Sequence, residues 1–242
     1  MQNKIKLLTA GDSSILLQFG NTIDPAINRK IAATVQLMRE QHINGVTDVI
    51  PAFCSLLINY DPRVISYEQI KRRMEALVKI DVTAGDTRKR VFEIPVCYGG
   101  EYGPDIRNIA DHAGLSVEEV IQIHTSRDYL IYMLGFLPGF TYLGGLDERI
   151  HTPRLANPRI RIPAGSVGIG GSQTGIYPMD SPGGWQLMGM TPVKTYDPDR
   201  EVPILVEAGD YIRFVAIDED EFHRIKELVD KNEYQCVVRE GD

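Results

Sequence analysis

The chain has 242 residues, 43% of them hydrophobic and 24% charged, with a formal net charge of −7. That balance describes a globular protein with length for one large or two modest domains, and it excludes a disordered chain. The acidic balance argues against nucleic acid or an anionic membrane face as main partner; no apolar run near 18 residues and no charged-then-apolar leader is visible, so neither a membrane span nor a secretory signal is expected.

Taken in order, Ile5–Leu8 and Ser14–Phe19 read as two strands separated by the turn Gly11-Asp12. A helix follows, capped by Asp24 with Pro25 at its first position and with Ile27, Ile31, Val35 and Met38 at helical spacing, and Asn44-Gly45 is expected to end it. Val46–Ile50 and Ser55–Tyr60 read as strands, and Ser66 with Gln69 makes a capping box for a second helix carrying Ile70, Met74 and Leu77. Two helices over four strands make a small α/β domain, residues 1–88. The aperiodic run from Thr83 to Arg90 reads as a linker into a second domain, residues 89–242, that starts with the strand Val91–Tyr98.

Residues 104–125 spell helix, glycine turn, helix, the outline of a DNA-binding helix-turn-helix. The second helix, however, opens Ser116-Val117-Glu118-Glu119, which sets carboxylates where phosphates would approach. Ser116 and Glu119 read as a capping box, and the pair as a helical hairpin on a barrel rim. Further on, Val202–Glu207 and Tyr211–Ala216 are expected to form a hairpin around Ala208-Gly209-Asp210. A helix capped by Asp218 or Asp220 and a last strand, Tyr234–Val238, follow. Many short strands with turn signals indicate an antiparallel barrel, so the fold class is α+β.

The organising stretch is Met133–Pro192, which holds twelve of the 22 glycines and the single tryptophan, Trp185. Glycines alternating with short apolar runs write tight turns and close backbone approaches into β-structure. Two readings stay open: a glycine-lined pocket with convergent polar side chains, or a barrel whose corners need glycine. Ser166, in Ala164-Gly165-Ser166-Val167-Gly168, lacks the first glycine of a nucleophile elbow and reads as a hydrogen-bonding wall residue. The run from Gly165 to Gly171 lacks the lysine of a P-loop, although its backbone N–H groups remain open to a phosphate.

The five histidines, His42, His112, His124, His151 and His223, never fall in a metal-ligand pattern, and Cys54, Cys97 and Cys236 form no C-x-x-C; no metal site is expected, and the thiols read as reduced in a cytoplasmic protein. His124 is the general acid–base candidate, its alternative being a helix-end histidine on orphan carbonyls. Arg154 and Arg159 each follow a proline, in Thr152-Pro153-Arg154 and Asn157-Pro158-Arg159, and two constrained guanidinium forks suit a carboxylate or phosphate. Their alternative is surface pairing with Asp147 or Glu148. Phe136, Phe140, Tyr142 and Trp185 read as apolar walls or as core.

GFLPGFTYLGGLD, TPRLANPR, IPAGSVGIGGSQTGIYP and SPGGWQLMG resemble the KipI/PxpB family, the B subunits of bacterial 5-oxoprolinase, a family that also covers allophanate hydrolase subunit 1 and part of urea carboxylases. One departure is Met190, where the family usually has the arginine of GRTP after the tryptophan. The resemblance implies a cyclophilin-like antiparallel β-barrel for the second domain. It implies an ATP-dependent complex that opens 5-oxo-L-proline to L-glutamate, with this chain working beside the C and A subunits of 5-oxoprolinase. On that basis Arg154 and Arg159 are assigned to anion binding, Ser166 and Gln173 to hydrogen bonding, and His124 to proton transfer. Two alternatives follow from the same resemblance: an inhibitor binding a sporulation histidine kinase, or a carboxyltransferase-like fragment of urea metabolism.

Overall fold

The computed structural model describes residues 5–80 and 90–240. The chain divides into two compact units, residues 1–87 and 88–242. The expected linker, Thr83–Arg90, lies outside the described residues apart from Arg90.

In the first unit, β1 (Lys6–Thr9), β2 (Ser14–Gln18), β3 (Val46–Pro51) and β4 (Ser55–Tyr60) form an antiparallel sheet in the order β1-β2-β4-β3. Period-2 alternation buries Ile15 and Leu17 of β2 with Leu56, Ile58 and Tyr60 of β4 on one face. Against that face pack α1 (Pro25–Gln41), burying Ile31 and Met38, and α2 (Tyr67–Leu77), burying Ile70, Met74 and Leu77. Asp24 accepts from the Ala26 N–H at the start of α1, and the Ser66/Gln69 capping box of α2 is complete. Helix α1 ends earlier than Asn44-Gly45 suggests, because His42 itself takes the left-handed conformation (φ 42°) and closes its last turn.

The second unit is a closed seven-stranded barrel. Its strands are β5 (Arg90–Tyr98), β6 (Asp128–Leu134), β7 (Thr141–Gly144), β9 (Ser166–Gly170), β10 (Gln173–Ile176), β12 (Gln186–Met190) and β13 (Tyr211–Ile217). They run β12-β9-β10-β7-β6-β13-β5, and β12 returns to β5 through Gly189↔Tyr98 and Met190↔Cys97. Strands β8 (Arg159–Ile162) and β11 (Ser181–Gly183) make a separate two-stranded ribbon, and β14 (Val237–Glu240) adds to the outer half of β5.

The α+β class holds, with one amendment to the antiparallel barrel: β13 runs parallel to β5 from Tyr211↔Val91 to Ile217↔Cys97. A parallel neighbour needs a long crossover, here the whole chain between Tyr98 and Tyr211. The expected hairpin partner Val202–Glu207 is not a strand. Pro203 lacks a ladder N–H, only Ile204 makes a bridge (to Tyr196), and the turn at Gly209 donates to Ile131 O instead.

The helical hairpin, α3 (Ile106–Ala113) and α4 (Val117–Thr125), buries Ile106, Ile109, Val120 and Ile123 in the barrel core, with the Ser116/Glu119 capping box formed. A last helix, α5 (Glu219–Asp230), is capped by Asp218. No helix among the described residues is long and apolar enough to cross a membrane.

Candidate functional site

The glycine-rich stretch is built into the barrel. Strand β9 is buried along its whole length and is paired on both sides, with β10 and with β12. Its hairpin turn is also tied down: Gly171 donates to Thr152 O at 2.8 Å and Thr152 donates back to Gly171 O. The N–H groups that a phosphate would need are therefore largely taken by the ladder. Glycine at 170 has a packing cause, since a Cβ there would lie 2.3 Å from Trp185 Nε1.

Trp185 sits in a cluster with Phe140, Tyr177, Ile162 and Leu187, buried to within 4% of full occlusion, with Tyr142 and Leu137 packed at its border. The Phe140 ring meets Trp185 at 5.6 Å and Tyr177 at 5.4 Å edge to face, and Tyr142 at 5.1 Å in a tilted contact. Phe136 lies edge-on to Phe140 but is 64% exposed, on a backbone of φ 62° that a bulky residue rarely adopts. Burial raises the Tyr177 hydroxyl above its ordinary pKa, against the opposing pull of Arg154 and Arg159 and a hydrogen bond from the Trp185 backbone.

The two arginines reach this cluster in different states. Arg154 is exposed, with its guanidinium carbon 6.0 Å from the Trp185 ring centroid, and it makes no ion pair among the described residues. Arg159 donates from Nη2 to Asp105 Oδ1 at 2.7 Å and from Nη1 to Trp185 O at 3.5 Å. Of the two surface partners expected for them, Asp147 is engaged elsewhere: it binds Arg149 and Arg127, which hold its carboxyl well below the usual carboxylate range.

Two other predicted residues, His124 and Ser166, are buried. His124 is fully buried: its ring stacks on Phe214 at 4.5 Å, with Tyr98 Oη 2.8 Å from Nδ1 and Thr174 Oγ1 2.8 Å from Nε2. Thr174 donates its proton to Gly168 O at 3.1 Å, so the network assigns the His124 proton to Nε2 and lets Tyr98 donate to Nδ1. With every group satisfied and no anion beside it, burial lowers the His124 pKa from 6.5 to about 3. In this position the ring is a neutral core member with no opening to a solute. Ser166 is also buried, its hydroxyl donating to Pro163 O at 2.7 Å. Gln173 begins β10 beside the hairpin turn and is half-buried.

Sequence reasoning missed Asp105, Asn108, Tyr177 and Gln186. Gln186 donates to Pro153 O at 3.1 Å and accepts from Asn108 at 3.4 Å. Asp105 reads in sequence as an ordinary helix cap, and nothing local signals a partner 54 residues away. Met190 pairs with Ser166 and Cys97 at the far end of β12, roughly 15 Å along the strand from Trp185. Hollows of about 290 Å³ beside α4 and about 560 Å³ at the end of α1 border none of the predicted site residues. Among the described residues no group of three or more His, Cys, Asp or Glu is placed to hold a metal.

Residues 5–206 match the model of the carboxyltransferase domain, subdomain C and D. The chain is 45% identical over 227 residues to the B subunit of 5-oxoprolinase from Bacillus subtilis (strain 168), covering 90% of this chain and 95% of that protein. It is 41% identical to the corresponding B subunit from Escherichia coli O157:H7, over 85% of this chain and 93% of that one. Among solved structures, TTHA0988 superposes with a TM-score of 0.76 at 38% identity over 85% of this chain, which spans 40% of that longer chain.

Proposed function

The chain belongs to the carboxyltransferase subdomain C and D family, in its branch of 5-oxoprolinase B subunits (KipI/PxpB), and from that premise we propose that it is the B subunit of an ATP-dependent 5-oxoprolinase. The observation that carries this reading is the 45% identity to the Bacillus subtilis protein across 95% of its length. The reaction opens the lactam C–N bond of 5-oxo-L-proline by addition of water, giving L-glutamate, and couples it to ATP hydrolysis. The A and C subunits complete the active unit, in the cytoplasm, and this chain by itself does not turn over substrate.

Within that complex, Arg154 and the aromatic cluster under it are the part of the site supplied here. A five-membered lactam bearing one carboxylate presents a flat, weakly polar ring and a single anion. Arg154, which makes no ion pair among the described residues, offers its fork to the carboxylate. At the margin of that buried cluster, the exposed Phe136 and the half-buried Tyr142 offer rigid aromatic surface to the ring. The engaged N–H groups of β9 and of its turn support placing the nucleotide phosphates on a partner subunit. Neither His124 nor Ser166, both buried and hydrogen-bonded, is given a chemical step.

The test is reconstitution: glutamate release from 5-oxoproline by co-purified subunits, with and without ATP and with and without this chain. The reading requires release only when ATP and all subunits are present. Substantial ATP-dependent turnover by this chain alone, or full activity from the partners without it, overturns it.

A further inference from the structure

Asp105 occupies the N-cap of α3, where a carboxylate ordinarily accepts from the first-turn N–H groups, yet it makes no capping hydrogen bond. Its Oδ1 accepts from Arg159 Nη2 at 2.7 Å and its Oδ2 accepts from the Leu187 N–H at 2.7 Å. Its own N–H donates to Leu187 O at 2.9 Å. Two residues earlier, a Cβ at Gly103 would lie 2.0 Å from Met188 O, so this segment is pressed directly onto β12. Asp105 is only 5% exposed, so its carboxylate sits where a charge needs a fixed partner.

A second bridge leaves the same helix: Asn108 donates to Gln186, which donates to Pro153 O. Leu155 adds a backbone bond to Gly184 O at 2.7 Å. The segment 153–159 is therefore tied at Pro153, Leu155 and Arg159, with Arg154 between the ties and over the Trp185 ring.

We propose that Asp105 is a positioning residue of the anion site: through Arg159 it fixes the segment 153–159, so that the Arg154 fork stays over Trp185 and ready for a small carboxylate. Arg159 then belongs to the support and Arg154 to the binding surface. This rests on the reading of Arg154 given under the proposed function, but part of its test needs no substrate.

Trp185 is the chain's only tryptophan, so its fluorescence reports this place alone. Trp185 is too buried for ionic quenchers to reach, but a positive charge held over the indole shifts its emission maximum, and Arg154→Ala gives the size and sign of that shift. The full-length chain is measured as wild type, Arg154→Ala, Asp105→Asn, Arg159→Lys and the Asp105→Asn/Arg154→Ala double variant. The same proteins are assayed in the reconstituted complex with 5-oxoproline.

Asp105→Asn is expected to move the emission maximum towards that of Arg154→Ala and to raise KM roughly tenfold with kcat within about twofold, as lost positioning of one charge-assisted contact predicts. The double variant should be no worse than Arg154→Ala, and Arg159→Lys, which keeps the charge, should fall between wild type and Asp105→Asn. A lowered melting temperature with a wild-type emission maximum and KM in Asp105→Asn overturns the proposal, as do additive effects in the double variant. If Arg154→Ala itself leaves KM unchanged, the carboxylate assignment fails, and the emission maximum still decides whether Asp105 holds Arg154. Should Asp105→Asn not fold, Arg159→Lys decides by the same two readouts.

Discussion

Two places in the barrel set a nitrogen base or cation against aromatic rings, and they come out as opposites. In the core, His124 lies between Tyr98, Tyr129 and Phe214, and both of its ring nitrogens are engaged. At the surface, Arg154 lies over Trp185, itself in edge contact with Phe140 and Tyr177, and the guanidinium has no ion-pair partner among the described residues. Burial without an anion removes the charge from an imidazole, whereas a guanidinium stays protonated at any working pH. The first place therefore holds the fold, through a one-way chain of hydrogen bonds from Tyr98 to Gly168. Under our proposal, the second keeps its donors for a carboxylate from outside the chain. Residue type alone does not separate them, because histidine titrates near neutrality and an exposed arginine is common.

The largest effect expected belongs to the support beneath the surface site. Arg159→Ala leaves the Asp105 carboxylate buried without its counter-charge and should lower stability by about 3–5 kcal/mol, read from urea denaturation midpoints. Replacing both partners, Asp105→Leu with Arg159→Met, should recover a large part of that loss. If the single and double variants are equally unstable, the pair is not the cause.

Next comes His124→Phe, which keeps the ring stack but leaves the Tyr98 hydroxyl without its acceptor. A loss of about 2 kcal/mol is expected, with kcat per folded complex unchanged. A fall in kcat of a hundredfold in well-folded protein would make His124 a participant in the chemistry and erase the contrast with Arg154.

The same histidine gives a pH dependence whose sign is fixed. Its folded pKa, about 3, lies below the ordinary 6.5, so above pH 6.5 the ring is neutral in both states and contributes no slope. Between pH 6.5 and 3 the unfolded chain binds a proton that the folded chain excludes. This group alone should then lower stability by up to about 1.4 kcal/mol per pH unit on acidification. The wild type should therefore lose more stability than His124→Phe between pH 7.5 and pH 5. Parallel losses in the two proteins would show that His124 does not set the slope.

A smaller expectation concerns the unit that holds both places. We propose that residues 89–242 fold without the first unit, since the barrel, its two helical caps and both polar clusters lie within it. A cooperative thermal transition of that fragment, with Trp185 fluorescence like that of the full chain, is the expected result. A broad, non-cooperative transition would place the boundary elsewhere.

Much of the fold was legible because its signals are local. The Ser66 and Ser116 capping boxes, the Asp24 and Asp218 caps and the Ser55–Tyr60 strand follow from residues a few positions apart. The parallel β5–β13 seam was not legible, since its partners lie 120 residues apart and neither strand carries a mark of direction. At the candidate site the aromatics and the proline-held arginines stood out by type. Which arginine remains available depends on Asp105, and a carboxylate ahead of a helix looks the same whether it caps the helix or turns to a guanidinium. The glycines were ambiguous for a similar reason: Gly170 clears space for an indole ring rather than for a ligand, and the ring lies 15 residues further along the chain.

The most direct measurement compares Arg154→Ala and Arg154→Lys with wild type in the reconstituted complex, with melting temperature followed in parallel. Because Arg154 makes no ion pair among the described residues, the alanine variant should keep its stability to within about 0.5 kcal/mol. Losing a charge-assisted contact to a carboxylate removes about 1.5–3 kcal/mol of binding, so KM for 5-oxoproline should rise roughly ten- to a hundredfold, with lysine restoring only part of it. Unchanged KM in both variants, at unchanged stability, would contradict the account and leave Arg154 as a solvated charge over a core tryptophan.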